Sequence, residues 1–215
     1  MGKGSAGGGE SLGGGSAENI NIVSQTDVWT FRHRQKNEAF VDSMNDSVRT
    51  VQEDFPGLMD DVKEVNSAVL GGADKQNTLG FYGNGQLALN SNYTNVDKMN
   101  KVYDEAVKEG YHPGRGNKNG TEAVTFHELG HAVTDHVKGK VGAKDIDGAA
   151  KIIVDNAYKN ANGRGGTKAW AGKISGYAQK NNAECIAEAV ADWYCNGNKA
   201  SKQSKAIMAE LKKYS

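Results

Sequence analysis

The chain has 215 residues, 37% of them hydrophobic and 24% charged, enough to bury one ordinary core and to carry an appended segment. Its 26 basic and 26 acidic side chains cancel, so charge recommends no nucleic acid, anionic membrane or acidic substrate as partner. No run of about 20 apolar residues is present, and the stretch MGKGSAGGGESLGGGS lacks the apolar centre of a secretory signal; a soluble protein without a Sec address is expected.

Residues 1–17 are rich in Gly and Ser, show no apolar periodicity and are expected to be a flexible tail or linker. Residues 18–75 are expected to form a helical extension and residues 76–215 the main domain. In the extension, Phe40, Val41, Met44, Val48 and Val51 recur at helical spacing between Glu38 and Asp54, and Phe55-Pro56-Gly57 breaks the pattern. Leu58, Met59, Val62 and Val65 then predict a second short helix ending at Gly71-Gly72.

Leu79 to Asn90 combines aromatic and aliphatic alternation with a Gly83-Asn84-Gly85 turn, which predicts a short hairpin. Thr94 and Asp97 have capping-box spacing and open a helix through Val96, Met99, Tyr103, Ala106 and Val107, which stops at Gly110. A Gly- and Asn-rich loop, Tyr111 to Gly120, leads to Thr121, the expected N-cap of the next helix. Ile146, Ala149, Ala150, Ile153 and Ala157 mark another helix, followed by a polar loop from Asn160 to Thr167. Helices over Ala183 to Cys195 and through Ile207, Met208 and Leu211 complete the pattern. Cys185 and Cys195 stand roughly 15 Å apart along their helix, beyond disulfide reach, so free thiols are expected.

The segment TFHELGHAVTDH carries the chemistry. His127 and His131 are one turn apart on one helix face and can direct ring nitrogens to a single ion at about 2.0 to 2.1 Å. Glu128, beside the first histidine, is placed to take a proton from a water on that ion. A third ligand is needed to define the class. A metzincin would require Gly at 134 and His at 137, where Thr134 and Val137 stand, so that class is excluded. His136 lies about 140° around the helix from His131 and is expected to face away.

The stretch Asn182-Ala-Glu-Cys-Ile-Ala-Glu-Ala-Val-Ala-Asp192 supplies the better candidate. Glu184, Glu188 and Asp192 repeat at helical spacing among small and apolar neighbours, where carboxylates need a cation or a donor. Glu184 as the third ligand, with Glu188 accepting a hydrogen bond from a ligand histidine, answers that need. Asp192 is expected to be a surface charge at the helix end.

Together, HELGH and Tyr177-Ala-Gln-Lys-Asn-Asn-Ala-Glu-Cys-Ile-Ala-Glu-Ala resemble the gluzincin-type zinc peptidases, among them the anthrax lethal factor catalytic domain and peptidase domains of phage head-associated proteins. The resemblance covers roughly residues 76–197 and is specific around the two motifs. It implies an α+β, zincin-like fold: a small mixed or antiparallel sheet, an active-site helix with HExxH, and a second helix bearing the glutamate. It implies one Zn2+ per chain on His127, His131 and Glu184, with Glu128 as general base and Tyr177 as a phenol donor to the developing oxyanion. It further implies that the strand Gln86, Leu87, Ala88 and Leu89 pairs with an extended peptide substrate. The expected activity is zinc-dependent endopeptidase action on a peptide or protein, in a cytoplasmic or phage-particle setting. Two alternatives stand beside it: a structural or interaction module, such as a phage particle component, keeping the zincin scaffold with zinc as a staple, in which an intact Glu128 would have no use, and a hydrolase of non-peptide amides.

Overall fold

The computed structural model describes residues 19–20, 31–68, 70 and 78–215; the expected tail and the Gly71-Gly72 helix end lie outside them. Helix α1 (Phe31–Asp54), which starts ahead of the expected Glu38, buries Phe40, Met44, Val48 and Val51 along one stripe. Ser43 and Ser47 sit in that stripe and donate their hydroxyls to the carbonyls of Ala39 and Ser43, which meets the cost of burying them. Gly57, in the left-handed region at φ 85, turns the chain into the single-turn helix α2 (Leu58–Asp61).

Beyond that turn the chain departs from the expected helix. With β1 (Asn19–Ile20) at one edge, β2 (Glu64–Ala68), β3 (Gly80–Gly83) and β4 (Gln86–Asn90) form a mixed sheet of order β1-β2-β4-β3. The β2–β4 pair is parallel and the other two pairs are antiparallel. Leu58, Val62 and Val65 suit a helical period over a short stretch, but the amides of Lys63 and Glu64 bond to the Gly85 carbonyl and draw the chain into pairing with β4. The expected hairpin is present. Asn84 and Gly85 both have positive φ, 53 and 78, as a two-residue type I′ turn requires.

Helix α3 (Val96–Lys108) is capped by Asn95, whose side chain accepts from the Lys98 amide, one residue later than the expected Thr94. Helix α4 (Gly120–Val141) is capped by Asn119 in a reciprocal capping box with Glu122, and the expected cap, Thr121, is a fully buried residue of the first turn. The remaining helices are α5 (Ile146–Asn160), α6 (Thr167–Ala171), α7 (Asn182–Asn196) and α8 (Lys202–Leu211).

One hydrophobic cluster runs through the molecule. It joins Phe40, Met44, Val48, Leu58 and Val65 to Phe126, Leu129 and Val133 of α4, Ile153 of α5, Ile186 and Val190 of α7 and Ile207 of α8. The stretch from Phe40 to Val65 therefore shares its core with the rest, and the boundary expected near residue 75 separates no cores among the described residues. The sheet face bearing Val65, Tyr82, Leu87 and Leu89 packs on α4; the opposite face holds Ala68, Leu70, Phe81 and Ala88. Both cysteines are free, and burial pushes the Cys185 thiol up to about 12. Among the described residues no helix is long and apolar enough to cross a membrane.

Candidate metal centre

Helix α4 carries His127 and His131, and α7 carries Glu184 and Glu188; the site exists because these two buried helices cross at small residues. A Cβ added to Gly130 would lie 2.7 Å from the Cα of Ala187, so the glycine is what lets the backbones approach. Glu184 falls in the first turn of α7, whose N-cap, Asn181, accepts the Glu184 amide at 2.8 Å.

His127 Nε2 and His131 Nε2 lie 3.2 and 3.3 Å from the same atom, Glu184 Oε2. That oxygen is buried and is left without a hydrogen-bond partner. An oxygen so placed carries a desolvation cost that a cation between it and the two rings would offset. Tetrahedral coordination with bonds of about 2.0 to 2.1 Å places donor atoms about 3.3 to 3.4 Å apart, close to the two separations observed. Two imidazoles and one carboxylate are a donor set that transition-metal sites use, and these three residues are the one group of three or more His, Cys, Asp or Glu among the described residues that could hold a metal.

Within the cluster the charges compensate one another. Burial opposes ionisation of Glu184, but the facing imidazoles outweigh it and hold the carboxyl far below the usual range. Burial likewise disfavours the His127 imidazolium, and Glu184 and Glu188 outweigh it in the opposite sense.

Glu188, 1% exposed, is fully bonded. Its Oε1 accepts from His127 Nδ1 at 2.8 Å and from His112 Nδ1 at 2.9 Å, and its Oε2 accepts from Ser175 Oγ at 2.7 Å. Burial raises its carboxyl, but the charge and hydrogen bond of His112 and the bond from His127 prevail and hold it at about 2. An ionised acceptor fixes the hydrogen of His127 on Nδ1 and leaves the Nε2 lone pair available to a metal.

Glu128 is 6% exposed, and its carboxyl is raised above the usual value because desolvation exceeds the lowering effect of His127 and His131. Its carboxylate lies against the backbone of β3: a Cβ on Gly80 would stand 2.6 Å from Glu128 Oε1. The Tyr177 hydroxyl donates to Glu184 Oε1 at 3.1 Å, and Lys180 Nζ donates to both, at 2.9 Å to the phenol oxygen and 3.2 Å to the carboxylate. Burial, then the charge of Glu184, raises the phenol, so Tyr177 stays a neutral donor.

The residues expected at the site are thus gathered with one exception. Strand β4 is internal, hydrogen-bonded to β2 on one side and β3 on the other, and Leu87, Ala88 and Leu89 are fully buried. Gln86, Leu87, Ala88 and Leu89 therefore have no free backbone edge to offer a peptide. Among the described residues the outer strand on this side is β3. Leu79, Phe81 and Gly83 turn their backbone groups to β4, so those of Gly80 and Tyr82 point outward. Asp192 also departs from expectation: at 6% exposed it accepts from Asn196 Nδ2, the Ser201 amide and Ser204 Oγ, tying α7 to the start of α8. His136 faces away from the metal-binding atoms and bonds Asp61 through Nδ1 at 2.6 Å.

His112, Ser175, Lys180 and Gly80 were not singled out by the motifs. His112 lies in an irregular loop, and nothing in its spacing from His127 signals proximity; Lys180 sits inside the Tyr177–Glu184 stretch and was legible there as a neighbour of the site. No protein-family model, no curated protein and no solved structure matches the chain.

Proposed function

We propose that the protein is a zinc-dependent endopeptidase whose metal is held by His127, His131 and Glu184. The observation that carries this reading is the buried, hydrogen-bond-free Glu184 Oε2, facing two imidazole nitrogens at 3.2 and 3.3 Å. Zinc, when bound, would polarise a carbonyl and acidify a water. The protein's own groups supply the rest. Glu128, buried with a raised carboxyl, accepts the proton of the attacking water and returns it to the leaving amine. Tyr177, kept neutral, donates a hydrogen bond to the oxygen that gains charge. The outward backbone groups of Gly80 and Tyr82 pair with an extended substrate, which places its carbonyl beside Glu128. A metal held only as a staple would make no use of a buried, raised Glu128 against a glycine that leaves it room.

The test is metal analysis with a general peptidase assay on the wild type, Glu128→Gln and Glu184→Ala. About one zinc per chain is expected, kept by Glu128→Gln with activity lost, and bound poorly by Glu184→Ala. Full zinc occupancy in Glu184→Ala removes the third ligand, and activity surviving Glu128→Gln removes the mechanism. A zinc-loaded wild type that cleaves no peptide substrate removes the peptidase assignment.

A further inference from the structure

Glu188 is held by more than the ligand histidine needs. Orienting the His127 ring takes one acceptor oxygen, yet Oε1 also receives His112 Nδ1, and the chain around His112 is fastened on both sides. Before it, the carbonyls of Gly110 and Tyr111 accept the amides of Gly176 and Tyr177 at 2.8 and 3.1 Å. After it, the Pro113 carbonyl accepts Tyr103 Oη at 3.1 Å and the Gly114 carbonyl accepts Asn196 Nδ2 at 2.6 Å. Arg115 closes the segment with a bidentate pair to Asp104 at 2.8 and 3.0 Å. The His112 ring lies flat on Tyr103, 5.3 Å between centroids and 7° from parallel, which settles its plane as well as its position.

We infer that His112 is a positioning residue of the metal site, acting on His127 through their shared acceptor, Glu188 Oε1. This rests on the metal-binding reading above. A carboxylate oxygen has two lone-pair directions, and His127 and His112 occupy both, while Ser175 fixes Oε2. The Glu188 carboxylate then has a single orientation, and the His127 ring inherits it. Loss of His112 leaves a buried lone pair unmet and frees the carboxylate to turn, so the ring is held less firmly toward the metal.

The experiment is zinc affinity by competition with a chromophoric chelator, for wild type, His112→Ala, His112→Asn, His112→Gln, Glu188→Gln and the His112→Ala/Glu188→Gln double variant. Circular dichroism of each zinc-free protein checks folding. His112→Ala is expected to weaken zinc about 10-fold, the lower end for partners of ligand histidines. His112→Asn, whose amide nitrogen falls near the place of Nδ1, recovers most of this, and His112→Gln, whose nitrogen falls farther out, does not. Glu188→Gln weakens zinc about 10- to 100-fold, and the double variant is no worse than Glu188→Gln within about 2-fold. His112→Ala within about 2-fold of wild type, penalties that multiply in the double variant, or equal affinities of His112→Asn and His112→Gln overturn the inference. If His112→Ala does not fold, the Asn and Gln variants decide. A wild type that binds zinc while the His112 variants are indifferent overturns this inference alone; a wild type that binds none overturns the metal site with it.

Discussion

The Cα of Ala187 passes so near Gly130 that a Cβ on the glycine would lie 2.7 Å from it, and that approach sets Glu184 opposite His127 and His131. Gly130→Ala is therefore expected to force α4 and α7 apart. Overpacking of this kind costs about 1–3 kcal/mol, partly offset by the better helix propensity of alanine. Urea unfolding of the zinc-free protein measures that cost, and zinc affinity should fall with it. Unchanged stability and affinity would mean that the helices yield without disturbing the site.

Gly80 makes a second such prediction, this one specific to catalysis. A Cβ there would meet Glu128 Oε1 at 2.6 Å and Glu128 Cγ at 2.8 Å, whereas His127, His131 and Glu184, the proposed ligands, are not among the atoms it would meet. Gly80→Ala should retain zinc and lose peptidase activity on the order of 10²-fold, because displacing the base by a fraction of an ångström spoils its alignment. Loss of zinc alongside activity would place the effect on the fold instead.

Tyr177→Phe separates its two contacts. If the phenol serves the developing oxyanion, kcat falls about 10²- to 10³-fold with KM little changed. If its hydrogen bond to Glu184 Oε1 is what matters, zinc affinity falls and activity returns when zinc is raised. Steady-state kinetics over a zinc titration distinguish the two.

Acid should destabilise the metal-free protein through Glu188. Its folded carboxyl is held at about 2, below the 4.5 of an ordinary glutamate, so the native state keeps it ionised where the unfolded chain would protonate it. The stability this contributes is present above about pH 4.5 and lost as pH falls toward 2. Urea unfolding between those limits should show a steeper decline for wild type than for Glu188→Gln. Parallel curves would mean that Glu188 does not stay ionised in the metal-free fold.

Local chemistry was legible in the chain. His127 and His131 share a face because both lie on one helix one turn apart, and Glu184 and Glu188 do so for the same reason; apolar neighbours told that these carboxylates were buried. The Asn84-Gly85 turn was legible because few residues tolerate positive φ. What the tertiary structure decided is whatever depends on pairing between distant segments. Val62 and Val65 fit a helical period, and only parallel pairing with β4 made Glu64–Ala68 a strand. That pairing also placed β4 inside the sheet and, among the described residues, left β3 at its edge. His112 reached Glu188 through a loop without periodicity, fastened by backbone carbonyls that have no signature in residue type. Spacing within a helix reports which side chains face one another, whereas the meeting of His127 with Glu184 required α7 to cross α4 at Gly130, a contact between residues 57 apart in the chain for Ala187 and Gly130.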